Sequence, residues 1–370
     1  MKFSCEKTLL QTAVNTASRT VAAKSSIPAL EGVLLQAAAQ LTVSGYNMNT
    51  GIRTTVEADV TEEGSLVLPA RLFGEMIRRL PDDVVSFSSG KDFTVKLTCG
   101  DTSYDLQALS AEDYPELPEV EDEYSLHVPQ NTLRAMISET SFAISTDETR
   151  PIHTGSLFEI SEEGLTIVSV DGFRLALRRE PLENGVSGGS FHFVVPGSAL
   201  REVEKICEET DEAATITLGS RHLLFEVGAS QLICRRLEGE FLNYKSAIPR
   251  QNPIIVTADK KSLAEAIDRV SVVISEKQKS PMRCIFGEDR IDLSARTATN
   301  EAKAVCQVTG DGKGLEIGFN NRYLIEALKY APAEEVRLEL NTSISPCVIT
   351  PVEGEEKFLY MVLPVRLKNS

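Results

Sequence analysis

The 370-residue sequence has no run of eighteen apolar residues and no signal-like hydrophobic segment at its start. The first absence excludes a transmembrane helix; the second argues against secretion and predicts a cytoplasmic protein. The seven cysteines, Cys5, Cys99, Cys207, Cys234, Cys284, Cys306 and Cys347, are odd in number and include no CxxC pair. A disulfide framework is therefore not expected, and the thiols read as small buried hydrophobes. Four histidines, His127, His153, His192 and His222, are scattered, with no two at metal-ligand spacing. Catalytic signatures are missing too: no phosphate-binding GxxxxGK loop, no HExxH, no GxSxG and no Rossmann fingerprint. Asp171-Gly172-Phe173-Arg174 lacks the second acidic cluster that metal-assisted hydrolysis needs, so it reads as a turn or the edge of a binding pocket. Neither enzyme chemistry, metal nor cofactor is expected. Positive charge is outnumbered, with 38 Lys and Arg against 54 Asp and Glu and a formal net charge of −16. That excludes a polycation that coats nucleic acid, but not a local basic surface within an acidic shell.

What is present is a soluble globular composition, 42% hydrophobic and 25% charged, in a chain long enough for two or three domains. It reads as three copies of one unit. Leu10, Ala13, Val14, Ala17 and Val21 share a helical pattern with Leu133, Met136, Ile137, Thr140 and Ile144, and with Leu263, Ala266, Ile267, Val270 and Ile274. The spacing puts one apolar stripe on each helix. About sixty residues later a second helix follows an apolar strand in each copy. The strands are Leu66-Val67-Leu68-Pro69, Phe193-Val194-Val195-Pro196 and the run Leu315 to Asn320. The helices carry Phe73, Met76, Ile77 and Leu80; Leu200, Val203, Ile206 and Cys207; and Leu324, Ala327, Leu328 and Ala331. Strands are expected at 92–97, 164–170 and 336–340, and turns at Glu162-Glu163-Gly164, Ser88-Ser89-Gly90 and Val352-Glu353-Gly354. Linkers are expected at Pro115–Pro118 with the acidic run Glu119–Glu123, and at Ile248–Pro253. The resulting domains are 1–120, 125–249 and 254–370. Each is α+β, with two helices and about eight short strands in two sheets, helices on one side.

The helix faces away from the core are polar and modestly basic. They hold Lys7, Arg19 and nearby Lys24; Arg71 and Arg78; Arg134; Arg201 and Lys205; and Arg322 and Lys329. Two readings fit: a solvated helix face, or loose phosphate contact without base reading. The second helix of the middle copy weakens the second reading, because Glu202, Glu204, Glu208 and Glu209 surround Arg201 and Lys205.

Several segments resemble the bacterial DNA polymerase III beta subunit family, the DNA sliding clamps. Tyr360 to Leu367 is similar to that family's C-terminal ending, and Ser169 to Ala176 to its Asp-Gly-His/Tyr-Arg-Leu segment. Leu237 to Tyr244 resembles its Glu-Gly-x-Phe-Pro-x-Tyr segment, Phe319 to Leu324 its Asn-x-Arg-Tyr helix start, and Ser110 to Pro115 the end of its first domain. The resemblance covers the whole chain in order. It implies three clamp domains per chain and a head-to-tail homodimer, six domains closing a ring around duplex DNA. Twelve helices about 10 Å across would give a channel circumference near ~120 Å, wide enough for a duplex with water to spare. The implied role is a non-enzymatic processivity factor, opened by an ATP-using clamp loader. It would tether the replicative DNA polymerase, other polymerases and repair proteins through short peptides.

The resemblance further implies a peptide cleft lined by His153, Thr154, Val170, Gly172, Phe173, Arg174, Leu175, Leu242, Ala247, Asn320, Tyr323, Ile344, Pro346, Met361, Val362, Leu363, Pro364, Val365 and Arg366. It implies DNA-facing cations at the ten positions above, and a dimer contact of Tyr104 and Leu106 against Val273 and Ile274. The chain departs from the family pattern at Leu242-Asn243, where Pro is usual; at Phe173, where His or Tyr is common; and in the extra Lys368-Asn369-Ser370. Two rivals are a hydrolase or nuclease acting on DNA, and a clamp-fold interaction scaffold that does not encircle DNA.

Overall fold

The computed structural model describes residues 1–121, 124–182, 191–274, 280–354 and 357–367. Two of the expected linker acids, residues 122 and 123, and the tail Lys368-Asn369-Ser370 lie outside them. The helices are α1 (Lys7–Ser18), α2 (Ala70–Arg79), α3 (Gln130–Ser141), α4 (Gly197–Ile206), the single turn α5 (Tyr244–Ala247), α6 (Lys260–Ser271) and α7 (Asn321–Tyr330). No helix among the described residues is long and apolar enough to cross a membrane.

The repeat shows in its details. Leu10, Ala13, Val14 and Ala17 on α1, Leu133, Met136, Ile137 and Thr140 on α3, and Leu263, Ala266, Ile267 and Val270 on α6 are all buried. The aliphatic residue expected as the fifth member of each stripe lies beyond the helix in all three copies. Each helix stops at a serine, and the chain tightens into a three-residue turn. There the N–H of Val21, Ile144 or Ile274 donates to the carbonyl of Ser18, Ser141 or Ser271 at 3.3, 3.1 and 2.9 Å. A tight last turn keeps the residue on the core side without continuing the helix.

The sheets depart from the expectation of self-contained domains. A nine-stranded antiparallel sheet joins the first and second copies, because Thr50–Val56 pairs with Ser230–Arg235. A ten-stranded sheet joins the second and third, because Arg174–Glu180 pairs with Phe358–Val362. A separate five-stranded sheet completes the first copy. The chain accordingly falls into two compact units, Met1–Arg134 with Arg201–Arg236, and Ala135–Leu200 with Leu237–Ser370. The division passes through the middle repeat because its two half-sheets belong to different shared sheets.

Three expectations need correction. The segment before Glu119 is not a free linker: Tyr114 and Leu117 are buried in a cluster with Leu30, Tyr46 and Ile233. Ile248, in the second expected linker, packs on an apolar cluster of the second unit. The strand expected at 92–97 begins at Thr94, because Phe93 takes a left-handed φ of 61° and Asp92 Oδ1 accepts from the Thr94 N–H. All seven cysteines are free and buried, and burial pushes the Cys207, Cys234 and Cys347 thiols up to about 12.

The core of the first unit rests on close approach of α1 to strand Leu41–Tyr46. A Cβ at Gly45 would lie 1.9 Å from the Ala17 carbonyl oxygen. Thr20 Oγ1 closes the same junction, donating to Gly45 O at 2.9 Å and accepting from the Ile52 N–H at 3.1 Å. Gly45→Ala is expected to cost about 3 kcal/mol, the upper range for overpacking. Urea denaturation followed by circular dichroism would check it; an unchanged midpoint would contradict the packing described.

Candidate peptide cleft and basic helix faces

The expected cleft residues all belong to the second unit. Strand Phe358–Val362 sorts them by alternation. Leu359 and Met361 face a cluster with Val170, Leu175, Ala247 and Leu363, whereas Phe358, Tyr360 and Val362 face the core beneath α6 and α7. Val362 is 1% exposed in that core, which corrects its assignment to the cleft lining. Phe173, Leu242, Ile344 and Val365 are exposed, and the Val365 N–H donates to the Gly318 carbonyl at 2.7 Å, where Val365 and Arg366 line a cavity with Arg283 and Ile285. Pro346 and Pro364 are half-buried, and Arg366 is exposed. Thr154 Oγ1 donates to the Pro151 carbonyl at 2.7 Å, and Asn320 caps α7 by accepting from the Arg322 N–H at 3.1 Å. His153 sets its ring edge-on to Phe241, with centroids 5.4 Å apart. Burial, with Arg150 nearby, holds that imidazole below its ordinary range, so it is neutral at pH 7.

Arg174 is the best-anchored charge at this site. The turn that carries it is an Asx turn: Asp171 Oδ1 accepts from the N–H groups of Phe173 and Arg174 at 2.9 and 3.0 Å, with Gly172 at φ +88°. Asp171 Oδ2 accepts from Arg174 Nε at 2.8 Å, and Arg174 Nη1 donates to Glu326 of α7. The guanidinium carbon lies 4.6 Å from the Tyr323 ring centroid and 5.4 Å from that of Phe142. Phe173, 59% exposed, stacks on the outer side of Tyr323. The Leu363 N–H donates to the Phe173 carbonyl at 2.9 Å, tying the C-terminal segment to the same turn. Two carboxylates and two ring faces fix an arginine whose remaining N–H groups can meet a peptide carbonyl.

Sequence reasoning missed several of these supports. Ile152 and Phe241 complete the apolar wall, and Phe142 and Glu326 hold Arg174. Phe241 sat within a recognised segment, and Glu326 stood one turn after Arg322. Phe142, just past α3, carried no signal.

The ten cations expected to face DNA divide into two groups. Lys7 pairs with Asp82, Arg19 and Lys205 with Glu202, Arg78 with Glu75, Arg134 with Glu209, and Arg322 with Glu326. Lys24, Arg71, Arg201 and Lys329 have no carboxylate within ion-pair distance among the described residues. Lys7 is the least available, its side chain 13% exposed beside Asp82. Glu202, shared by Arg19 and Lys205, is 16% exposed; the Arg78 and Arg134 pairs are surface contacts worth ~0–1 kcal/mol, weak enough to exchange for phosphate.

Glu326 is half-buried between Arg174 and Arg322. Although burial alone would raise its carboxyl, hydrogen bonds from the two arginines draw it below the usual carboxylate range. A depressed folded pKa contributes stability above the unfolded carboxylate range, lost as pH falls through that range and below it. Arg174→Ala should therefore cost about 3 kcal/mol at pH 7, because it removes the guanidinium partner of Asp171 and one of the two that hold Glu326, both partly buried. That cost should shrink as Glu326 protonates in acid. Urea midpoints of the two proteins from pH 7 to pH 3 measure it; a cost independent of pH would contradict the assigned pairing.

Comparison with known proteins matches each repeat to a domain model of one family. Residues 1–118 match the N-terminal domain of the DNA polymerase III beta subunit, 127–243 the central domain and 245–366 the C-terminal domain. The beta sliding clamp of Synechococcus elongatus is 31% identical over the full length of both chains, and that of Staphylococcus aureus 29% over 99% of each. The crystal structure of the DNA polymerase sliding clamp from Bacillus subtilis superposes with a TM-score of 0.93 at 27% identity, covering all of both chains. A Pseudomonas aeruginosa sliding clamp bound to griselimycin gives 0.94 at 27% identity, over 99% of this chain and all of that one. With three domain models matched in order and a full-length relative above 30% identity, the chain belongs to the family of bacterial DNA polymerase III beta subunits, the DNA sliding clamps.

Proposed function

We propose that two copies of the chain close head to tail into a ring around duplex DNA. In this reading the ring holds the replicative polymerase and other DNA-processing proteins through peptides docked in the cleft. The ring itself performs no chemistry, and a clamp loader opens it. One observation carries the ring. The copies are joined twice by the same device, Thr50–Val56 with Ser230–Arg235 and Arg174–Glu180 with Phe358–Val362. The third such join has no partner within the chain: Thr102–Gln107 ends its sheet, and the start of strand Glu301–Phe319, residues 301–307, pairs on one side only among the described residues, before Thr309 meets Thr257 on the other. A free edge strand is a template for pairing with another chain. The same antiparallel pairing between two copies satisfies both edges and leaves no end open.

Residue placement refines the dimer contact. Leu106 is 7% exposed within its own core, and Val273 and Ile274 pack on the core beneath α6. Val272 instead is 82% exposed. Tyr104 is half-buried on the free edge strand. The apolar contact is therefore assigned to Tyr104 and Val272, with Leu106, Val273 and Ile274 supporting it from within. Val272→Asp should convert the dimer to monomer in sedimentation velocity while leaving the far-ultraviolet circular dichroism unchanged. A dimer that persists would remove Val272 from the interface.

The net charge of −16 is compatible with this role, because phosphate responds to the local cations of the helix faces while the acidic remainder repels DNA that is not enclosed. Retention on DNA tests the ring directly. After loading, the protein should stay on a closed circle through a high-salt wash and leave when the circle is cut. Equal loss from both forms, with the loader active on a control clamp, would overturn encirclement and favour the scaffold reading.

A further inference from the structure

Glu326 is shared by the two functional surfaces proposed above. Its Oε1 accepts from Arg322 Nε at 3.0 Å, and its Oε2 accepts from Arg174. Arg322 lies on the face of α7 expected to meet DNA, and its side chain is 74% exposed. Arg174 is 10% exposed at the cleft, with Asp171 as its second carboxylate partner. One carboxylate, 24% exposed, thus divides its charge between a solvent-facing arginine and an enclosed one.

We infer that Glu326 positions Arg174 for peptide binding and couples that binding to phosphate at Arg322. The inference rests on the cleft and DNA-facing readings. The physical step is a competition. The Arg322 pair is an exposed i,i+4 contact of small net value, so a backbone phosphate entering the channel can draw that guanidinium away. Glu326 then keeps its full charge for Arg174, and a charge-assisted hydrogen bond in a low-dielectric site strengthens as its competitor leaves. Arg174 also touches Asp171 and the rings of Tyr323 and Phe142, so tightening the fourth contact narrows its motion rather than moving it. A fixed guanidinium loses less freedom when a peptide carbonyl accepts from it, and the cleft binds more tightly. Linkage requires the reverse as well: peptide in the cleft favours phosphate at Arg322 by the same factor.

The test uses the full dimer and a fluorescein-labelled synthetic peptide carrying Leu and Phe, read by anisotropy at low salt, with and without a saturating short duplex. The wild type should bind the peptide about fivefold more tightly on DNA, the lower range of measured couplings. In Arg322→Gln the difference should vanish while the peptide still binds. In Glu326→Gln both the difference and part of the DNA-free affinity should be lost, and Glu326→Asp should restore some of each. A merely structural role for Glu326 would lower affinity equally with and without duplex, leaving the wild-type ratio in Glu326→Gln, and would overturn the coupling. Equal wild-type affinity in the two conditions overturns it as well, while leaving the cleft intact. Absence of peptide binding in both conditions overturns the cleft reading and the inference with it.

Discussion

Main-chain pairing across the borders between repeats is the constraint on which the rest depends. A half-sheet of four strands leaves two rows of unsatisfied N–H and C=O groups, and edge exposure of that kind is normally blunted by charge, bulges or cover. Here two of the edges are satisfied by the next repeat, at Thr50–Val56 with Ser230–Arg235 and at Arg174–Glu180 with Phe358–Val362. The consequence is continuity: a nine-stranded and a ten-stranded sheet replace what would be separate domains. A chain of hydrogen bonds perpendicular to the strands resists opening better than a linker does, because separating two strands exposes all their paired groups together.

The cleft follows from the same pairing. Strand Phe358–Val362 adds to Arg174–Glu180, and its alternation places Leu359 and Met361 on the side of Val170, Leu175 and Ala247 while sending Phe358, Tyr360 and Val362 into the core beneath α6 and α7. The apolar wall is therefore a by-product of a sheet junction, made from residues of two repeats. The turn that begins Arg174–Glu180 carries Arg174 to the rim of that wall, where Asp171 and Glu326 fix it. The junction that holds the fold and the proposed peptide site are one piece of backbone, so the site inherits the rigidity of the sheet.

Much of this was legible in the sequence because it is local. The stripes at Leu10, Leu133 and Leu263, the turn at Asp171-Gly172 and the buried cysteines all follow from spacing and residue type. The segment likenesses at Tyr360–Leu367 and Ser169–Ala176 pointed to the family, and through it to most of the cleft. What could not be read was non-local. Nothing in Thr50–Val56 names Ser230–Arg235 as its neighbour, so the shared sheets were invisible and the repeats looked self-contained. Val362 was placed in the cleft because its segment belongs there, and only the alternation of an established strand turns it away. Val272 was passed over for Val273 and Ile274 for a related reason: the helix ends at Ser271, and the tight turn after it decides which apolar residue remains outside. The linker expected at Pro115–Pro118 failed on side chains, since proline and acid spacing cannot show that Leu117 has a pocket waiting beside Gly51.

The cations carry the last step. Most of those on the helix faces already hold a carboxylate, which for a protein that had to grip DNA would be a defect. For a ring it is an advantage. Enclosure supplies retention, so phosphate contacts need only be numerous, weak and interchangeable, and a tight grip at any one of them would resist sliding. An arginine paired with glutamate at the surface gives up little when phosphate replaces the carboxylate and regains it one step later, which flattens the energy along the duplex. The same exchange at Arg322, as proposed above, would change what Glu326 offers to Arg174. In the proposed ring, weak surface pairing, unremarkable as a source of stability, would thereby give the channel low friction and the cleft a way to register that the channel is occupied.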